Sequence, residues 1–219
     1  MPEGSPTIDW DDAASRPAAQ GLRQATVEDI PRLRAVLAEA FYDDPVLGWL
    51  IPEERSRQAR LRHFFGIELR HMVLPRGQVW TTGELSGAAL IMPPGAWRAP
   101  LHATMLEGRV FWPRLGRAAR LGAEMERRHG REVREPHYYV RDVGVLPEMQ
   151  GRGLGSALMR PTLECCDQEN LPAYLEASSE RSAALYERLG FQQMRELRVG
   201  GSPPLRLMVR SPRSGEPMS

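Results

Sequence analysis

The sequence predicts an α/β domain, a sheet flanked by helices. Three observations carry that expectation. Residues 138–169 read as a strand, a tight glycine-rich turn and a helix. Residues 173–190 repeat the strand–helix order. Segments 78–92 and 191–209 read as hairpins joined by Gly- and Pro-containing turns.

The first of these units dominates the chain. Tyr138 to Val145 is rich in β-branched and aromatic residues, and Pro147 ends it because proline cannot donate to a sheet ladder. From Leu154, apolar residues at Leu154, Ala157, Leu158, Thr162 and Cys165 follow a helical spacing. Gly151, Gly153 and Gly155 lie between. Glycine permits positive φ and a close backbone approach to a ligand. A helix N-terminus presents unpaired N–H groups and about half a positive charge. Together they make an anion site that suits phosphate.

Three phosphate-binding patterns compete for this stretch. A Walker loop needs a lysine after its last glycine, and the chain has no lysine. A dinucleotide fingerprint needs G-x-G-x-x-G, whereas the spacing here is G-x-G-x-G. Gln150-Gly151-Arg152-Gly153-Leu154-Gly155 fits the third, the Q/R-x-x-G-x-G/A turn, and so resembles the GNAT acetyltransferase superfamily. Leu175 to Phe191, ending Leu-Tyr-Glu-Arg-Leu-Gly-Phe, resembles that family's second signature, and its wording is similar to the puromycin N-acetyltransferase branch. Weaker similarity covers most of residues 21–210. A turn that uses its glycines only for packing is the plainer alternative.

The resemblance implies a mixed, mostly antiparallel sheet of about seven strands. It implies acetyl-CoA as co-substrate, with pyrophosphate held by Gly151 to Ser156 and contacts from Gln150, Arg152 and Leu154. The pantetheine arm is expected to pair with Val143, Gly144 and Val145, opposite the wall Tyr174 to Ala177. A backbone N–H near Val145 would face the thioester oxygen. Tyr186 is expected to assist the departing thiolate. Reference values of about 10 for tyrosine and about 8.5 for a thiol place full transfer about 2 kcal/mol uphill, within reach of a bound site. Glu176, mid-strand, is the expected base, directly or through a water, with an arginine-paired structural acid as the alternative. Tyr139 is a weaker candidate. Ser179 stands where many members carry Asn, and Arg181-Ser182 replaces the branch's usual Arg-Asn, which weakens any transfer of polar contacts and of puromycin as substrate.

At 219 residues the chain suits one domain, with 42% hydrophobic and 26% charged residues typical of globular proteins. Residues 1–20 and 211–219 read as tails around a domain at 21–210. The net charge of +1 gives no bulk field for nucleic acid or anionic membrane. The absence of lysine removes Schiff-base chemistry. Adjacent Cys165 and Cys166 argue against a disulfide and for a reducing cytoplasm. The five histidines show no metal-ligand spacing, so no metal is expected. No apolar run approaches the roughly 18 residues of a membrane helix.

In order, Leu22 to Ala25 is a short strand, and Thr26 caps a helix with Pro31 near its start. Asp43-Asp44-Pro45 ends that helix, either as a capping turn or as an ammonium-holding pair, with the cap favoured. A helix is expected from Glu53 to Leu74, then strands at Gln78 to Thr82 and Ala88 to Met92. Residues 96–135 form an insertion of two short helices meeting near Pro113. It either covers a site with Trp97, Met105, Phe111 and Trp112 or packs on the sheet. Its arginine stripe is a solvated face, or meets a 3′-phosphate or a homodimer partner. Pro161 lies inside the helix after the glycine turn, Ser179 caps the next helix and Gly190 ends it. The favoured acceptor is a primary amine of a small molecule. A peptide acetyltransferase and a non-catalytic acyl-CoA sensor are the alternatives.

Overall fold

The computed structural model describes residues 21–213. The expected tail at 1–20 and residues 214–219 lie outside the described residues. Seven strands are formed among the described residues: β1 (Leu22–Gln24), β2 (Gln78–Thr82), β3 (Gly87–Met92), β4 (Tyr138–Val145), β5 (Ala173–Ala177), β6 (Gln192–Leu197) and β7 (Leu205–Arg210). They make one sheet in the order β1-β2-β3-β4-β5-β7-β6. Only β4 and β5 pair in parallel; the other ladders are antiparallel.

Seven α-helices accompany them among the described residues: α1 (Ile30–Ala40), α2 (Pro45–Leu50), α3 (Glu54–Ile67), α4 (Leu101–Val110), α5 (Leu115–Glu132), α6 (Leu154–Gln168) and α7 (Glu180–Arg188). Side chains alternate across each strand, so the sheet has two apolar faces. Val79, Ala88, Leu90, Tyr139, Tyr174 and Leu207 pack with α1, α3, α4 and α5. Trp80, Ala89, Ile91, Tyr138, Leu175 and Met208 pack with α6 and with Tyr186 and Phe191. Because helices cover both faces, β3 is buried throughout and reads as an unbroken apolar run rather than an alternating one.

Two features of β4 create the space at the centre of the sheet. It pairs with β5 only at Tyr138↔Ala173 and Tyr139↔Tyr174. Beyond that, β4 stays with β3 to Val145 and β5 stays with β7 to Ala177, so the parallel pair opens into a fork. Within β4, Asp142 faces Leu90 and Val140 faces Ile91, which leaves Arg141 as an extra, bulged residue. Gly144 is needed for packing: a Cβ there would stand 2.8 Å from the Leu37 side chain and 3.0 Å from Phe41. The first helix therefore lies directly against β4.

Three expectations are corrected. The helix expected from Glu53 to Leu74 changes to π-helix over Glu68–Val73. The wider turns bury Glu68 and Leu69 together with Met72 and Val73, a spacing that the sequence also presents as a long amphipathic helix. The loop after Asp44 contains α2, whose six residues are too few to show a period. The second insertion helix is not short but spans eighteen residues.

Candidate active site

A cavity of about 560 Å³ opens from the β4–β5 fork. The strands contribute Tyr139 to Val143 and Leu175 to Ala177, Ser178 follows β5, and α7 contributes Ser182 and Tyr186. Phe41, Val46, Leu47, Leu50 and Phe64 supply one apolar wall, and Trp97, Phe111, Leu115 and Met125 of the insertion supply another. The insertion thus both packs on the sheet and covers the cavity. Met105 and Trp112, however, are 66% and 69% exposed and take no part in the cover. Nor is the arginine stripe free of partners: Arg114 pairs with Glu53, Arg127 and Arg128 pair with Glu124, and Arg117 lies over the Trp49 ring.

His129 fastens the insertion to the sheet. Its ring stacks between Trp97 at 4.1 Å and Tyr174 at 4.2 Å. Its Nε2 lies 2.6 Å from Nε2 of His137, whose Nδ1–H donates to the Glu135 carbonyl. The His137 Nε2 is then the acceptor and the His129 Nε2–H the donor. Burial first, with His137 and two arginines behind it, pushes the His129 pKa down to about 3. The anchor stays neutral at any ordinary pH.

Charge in the cavity is lopsided. Asp44, Glu68, Glu107, Asp142 and Glu176 line it around Arg141. Arg141 donates from Nε and Nη2 to both oxygens of Glu68, a bidentate pair in which Glu68 is fully buried. Arg141, the bulged residue, and Asp142 beside it both line the cavity. Asp44 caps α2, accepting from the Val46 N–H at 3.0 Å and the Leu47 N–H at 2.9 Å. Its other oxygen accepts from the Ser178 hydroxyl. The favoured capping reading of Asp44 is observed; Asp44 also lines the cavity, whereas Asp43 is exposed and lies outside its lining. Glu176 accepts from Tyr139 Oη at 2.9 Å rather than from an arginine. Burial raises the four acids other than Glu68 above the ordinary carboxylate range: Glu176 and Asp142 to about 7, Glu107 to about 9, and Asp44 in the same direction.

Tyr186 lies where α7 stops. Gly190 has φ +93°, the Phe191 N–H bonds the Tyr186 carbonyl at 3.0 Å and the Gly190 N–H bonds the Glu187 carbonyl at 3.0 Å. This is a Schellman ending, and its apolar contact is the Tyr186–Phe191 ring pair at 5.8 Å. The Tyr-x-x-x-Gly-Phe wording therefore fixes the tyrosine's position through helix termination. The Tyr186 hydroxyl bonds no other described residue. Burial, then Asp142 and Asp44, raise its pKa above the ordinary value, so it stays protonated. Ser179 is committed to the start of the same helix, its Oγ accepting from the Ser182 N–H at 3.1 Å.

The glycine turn adjoins the end of β4. Gln150 Nε2 donates to the Val145 carbonyl at 2.9 Å and ties the turn to the strand. Gly151 and Gly153 have φ of +78° and +80°, with open space where a side chain would sit. Gly153 is the N-cap of α6 and lends no side chain to its N–H groups. Gly155 differs: its Cβ would lie 3.1 Å from Leu185, so it serves the contact of α6 with α7. The free N–H groups, the left-handed glycines and the empty space over them fit a pyrophosphate. The unpaired edge of β4 beyond Tyr139 fits an extended arm with amides. Val143, Glu176 and Tyr186 share the cavity, whereas Gly144, Val145, Gln150 to Ser156 and Ser179 lie outside its lining.

The sequence reading missed Glu68, Glu107, Arg141 and Asp142. The one signal available was three charged residues, Arg141, Asp142 and Glu176, inside otherwise apolar strands. Glu68 and Glu107 sit among many helix charges and carry no such mark.

A forked sheet with a glycine turn at one strand end and an acidic cavity in the fork defines a protein that can hold an acyl carrier against an amine. The Acetyltransferase (GNAT) family model matches residues 30–191, and the chain belongs to that family. An uncharacterized N-acetyltransferase of Schizosaccharomyces pombe is 29% identical over 211 residues, covering 87% of this chain and 83% of its own length. Among solved structures, a histone acetyltransferase HPA2 and related acetyltransferase from Corynebacterium glutamicum is similar at TM-score 0.64 and 26% identity, over 89% of this chain and 97% of that one. The polyamine N acetyltransferase of Drosophila melanogaster, which forms N acetylagmatine, shares the fold at TM-score 0.56 and 19% identity, over 87% and 98%. The protein is an acetyltransferase.

Proposed function

We propose that the chain moves an acetyl group from acetyl-CoA to a primary amine of a small molecule by direct attack. The observation that carries this reading is the roofed, acid-rich cavity that contains both Tyr186 and Glu176. Acids draw a cation in, and apolar walls exclude water from the reacting centre. Acetyl-CoA, when bound, supplies an activated acyl group. The N–H groups of Gly151 to Ser156 hold its pyrophosphate, Arg152 lies beside it, and Val143 to Val145 pair with the arm. Glu176 takes a proton from the ammonium, and its pKa of about 7 suits a base working near neutrality. Tyr186 donates its proton, or a hydrogen bond, to the leaving thiolate. The N–C bond forms and the C–S bond breaks; the nitrogen sheds a second proton on becoming an amide, which makes good the one passed to the thiolate, and Glu176 releases its own proton to solvent.

The likeness of residues 175–191 to the puromycin N-acetyltransferase branch and the polyamine enzyme's substrate favour a small acceptor. A peptide acceptor is the second reading, favoured by the histone acetyltransferase among the similar structures. Thiol release from acetyl-CoA over a panel of amines and peptides tests the two. Turnover with small amines alone is expected. Turnover confined to peptides would replace the proposal, and tight acetyl-CoA binding with no acceptor at all would point to a sensor.

A further inference from the structure

The carboxylate read above as the base is held by one side chain. Tyr139 Oη donates to Glu176 Oε2 at 2.9 Å, and no other side chain among the described residues bonds that carboxylate. The two partners come from opposite arms of the fork. Tyr139 and Tyr174 form the last rung of the parallel β4–β5 pair. Glu176 lies two residues beyond Tyr174 and so on the same face of β5, where the ladder to β4 has ended. The bond therefore spans the mouth of the fork and meets the first same-face position past the last rung.

The tyrosine has little freedom to move. It is buried, and its ring packs on His129 at 4.8 Å and on Tyr174 at 6.0 Å. His129 is stacked between Trp97 of the insertion and Tyr174 of β5, so roof and sheet clamp the donor together. Tyr139 is no base itself: burial, then the charge of Glu176, raise its pKa far above the ordinary value, and it remains a donor. The other titratable and charged groups about Glu176 are Arg141 and Asp142 of β4, Tyr174 of β5, His129 of α5, Tyr186 of α7 and, across the cavity, Asp44, Glu68 and Glu107. None of them donates to it. Arg141 serves Glu68, His129 serves His137, and the Tyr174 hydroxyl finds no partner among the described residues. On the other flank β7 sets Leu207 beside Glu176 and brings no charge.

We infer that Tyr139 is a positioning residue for the transfer: it commits one oxygen of Glu176 and leaves the other for the acceptor nitrogen. This rests on the reading of Glu176 as base. A hydrogen bond to the charged form also favours the carboxylate over the acid, and so offsets part of the rise that burial causes.

Tyr139→Phe keeps the ring against His129 and removes the donor. On the full chain, isotope-labelled at the glutamate carboxyl carbon, the Glu176 resonance is identified by its loss in Glu176→Gln. In Tyr139→Phe it should titrate about one pH unit higher than in the parent. With acetyl-CoA and the best small amine of the panel, kcat/KM should fall about tenfold near pH 6 and approach the parent above about pH 8. The amine's own titration cancels in the ratio of variant to parent. In a Glu176→Gln background, Tyr139→Phe should cost less than about twofold further, because it acts through the carboxylate. The glutamine still accepts from Tyr139, so a merely structural tyrosine would cost as much in either background. An unmoved Glu176 titration, a loss equal at every pH, or additive losses would overturn the inference and leave acetyl transfer standing. Full kcat in Glu176→Gln would instead remove Glu176 as base and the inference with it. Absence of thiol release with every amine would sink the acetyl-transfer reading itself.

Discussion

The glycine turn and the acidic cavity flank the same strand, β4, and are specified in opposite ways. The turn is six consecutive residues, Gly151 to Ser156, whose chemistry is backbone N–H. Only the conformation has to be encoded, and φ near +80° at Gly151 and Gly153 encodes it with two residues that lack a side chain. The cavity draws its acids from α2, the π-helix, α4, β4 and β5, five segments spread from residue 44 to residue 176. Its chemistry is side-chain charge, and each charge takes its meaning from the neighbours that the fold supplies. A backbone site can be read from one local window, whereas a side-chain site needs the tertiary contacts first.

The largest effect expected is on the side-chain end. Arg141→Met leaves the fully buried Glu68 without its counter-charge, which should cost about 3–5 kcal/mol in urea unfolding. The double variant Glu68→Gln, Arg141→Met should recover most of that loss. A single-variant loss below about 1 kcal/mol would mean the cavity is not held by this pair, and would blur the contrast with the turn.

That contrast accounts for what was legible. The β2–β3 and β6–β7 hairpins and the strand–turn–helix unit follow from local patterns, as do the caps at Ser179 and Gly190. The parallel β4–β5 contact and the seven-stranded sheet came only through the family likeness, because pairing between segments some 30 residues apart leaves no periodic trace. Tyr186 was singled out through the likeness to the family's second signature, and that window can fix its position because the residues after it end a helix, a local event. Glu107 could not be found: on α4 it is one charge on a half-exposed helix, and only the packing of α4 against the π-helix buries it beside Glu68. The π-helix itself was invisible, since Glu68 to Val73 carries the same apolar spacing as the α-helix before it.

Next in size is Tyr186→Phe. The ring keeps its contact with Phe191 and the helix ending is undisturbed, so the change isolates the hydroxyl. The kcat should fall about tenfold to a thousandfold, with acetyl-CoA affinity nearly unchanged. Full kcat would mean that the thiolate leaves unaided, and that the sequence window predicts this residue's position but not its task.

Gly153→Val probes the turn. Nothing lies within 4 Å of the new Cβ, so the penalty comes from backbone conformation alone. A β-branched residue at φ +80° is strained by about 1–3 kcal/mol, which should weaken acetyl-CoA binding about tenfold to a hundredfold by calorimetry. Unchanged affinity would remove the turn from the binding site. Gly155→Ala is the companion control, because its Cβ meets Leu185 instead, so any harm there should appear in stability rather than in affinity.

The smallest effect is also the one in which function and stability pull apart. Burial holds the Glu176 pKa near 7, above the ordinary value of about 4.3. The folded protein therefore binds this proton more tightly than the unfolded chain does. Stability is fully present below the unfolded value and is lost as pH rises through the folded one. Glu176→Gln removes that dependence while leaving an oxygen for Tyr139 to donate to. The variant should match the parent near pH 4 and exceed it in stability at pH 8. Asp142 and Glu107 titrate over overlapping ranges, but they do so in both proteins, so the difference curve isolates Glu176 to first order. Activity should move the other way, lowest relative to the parent at neutral pH and recovering as pH approaches the acceptor amine's own pKa. An activity loss equal at every pH, with no gain in stability at pH 8, would assign Glu176 to holding β5 against Tyr139 and leave the base to Asp142.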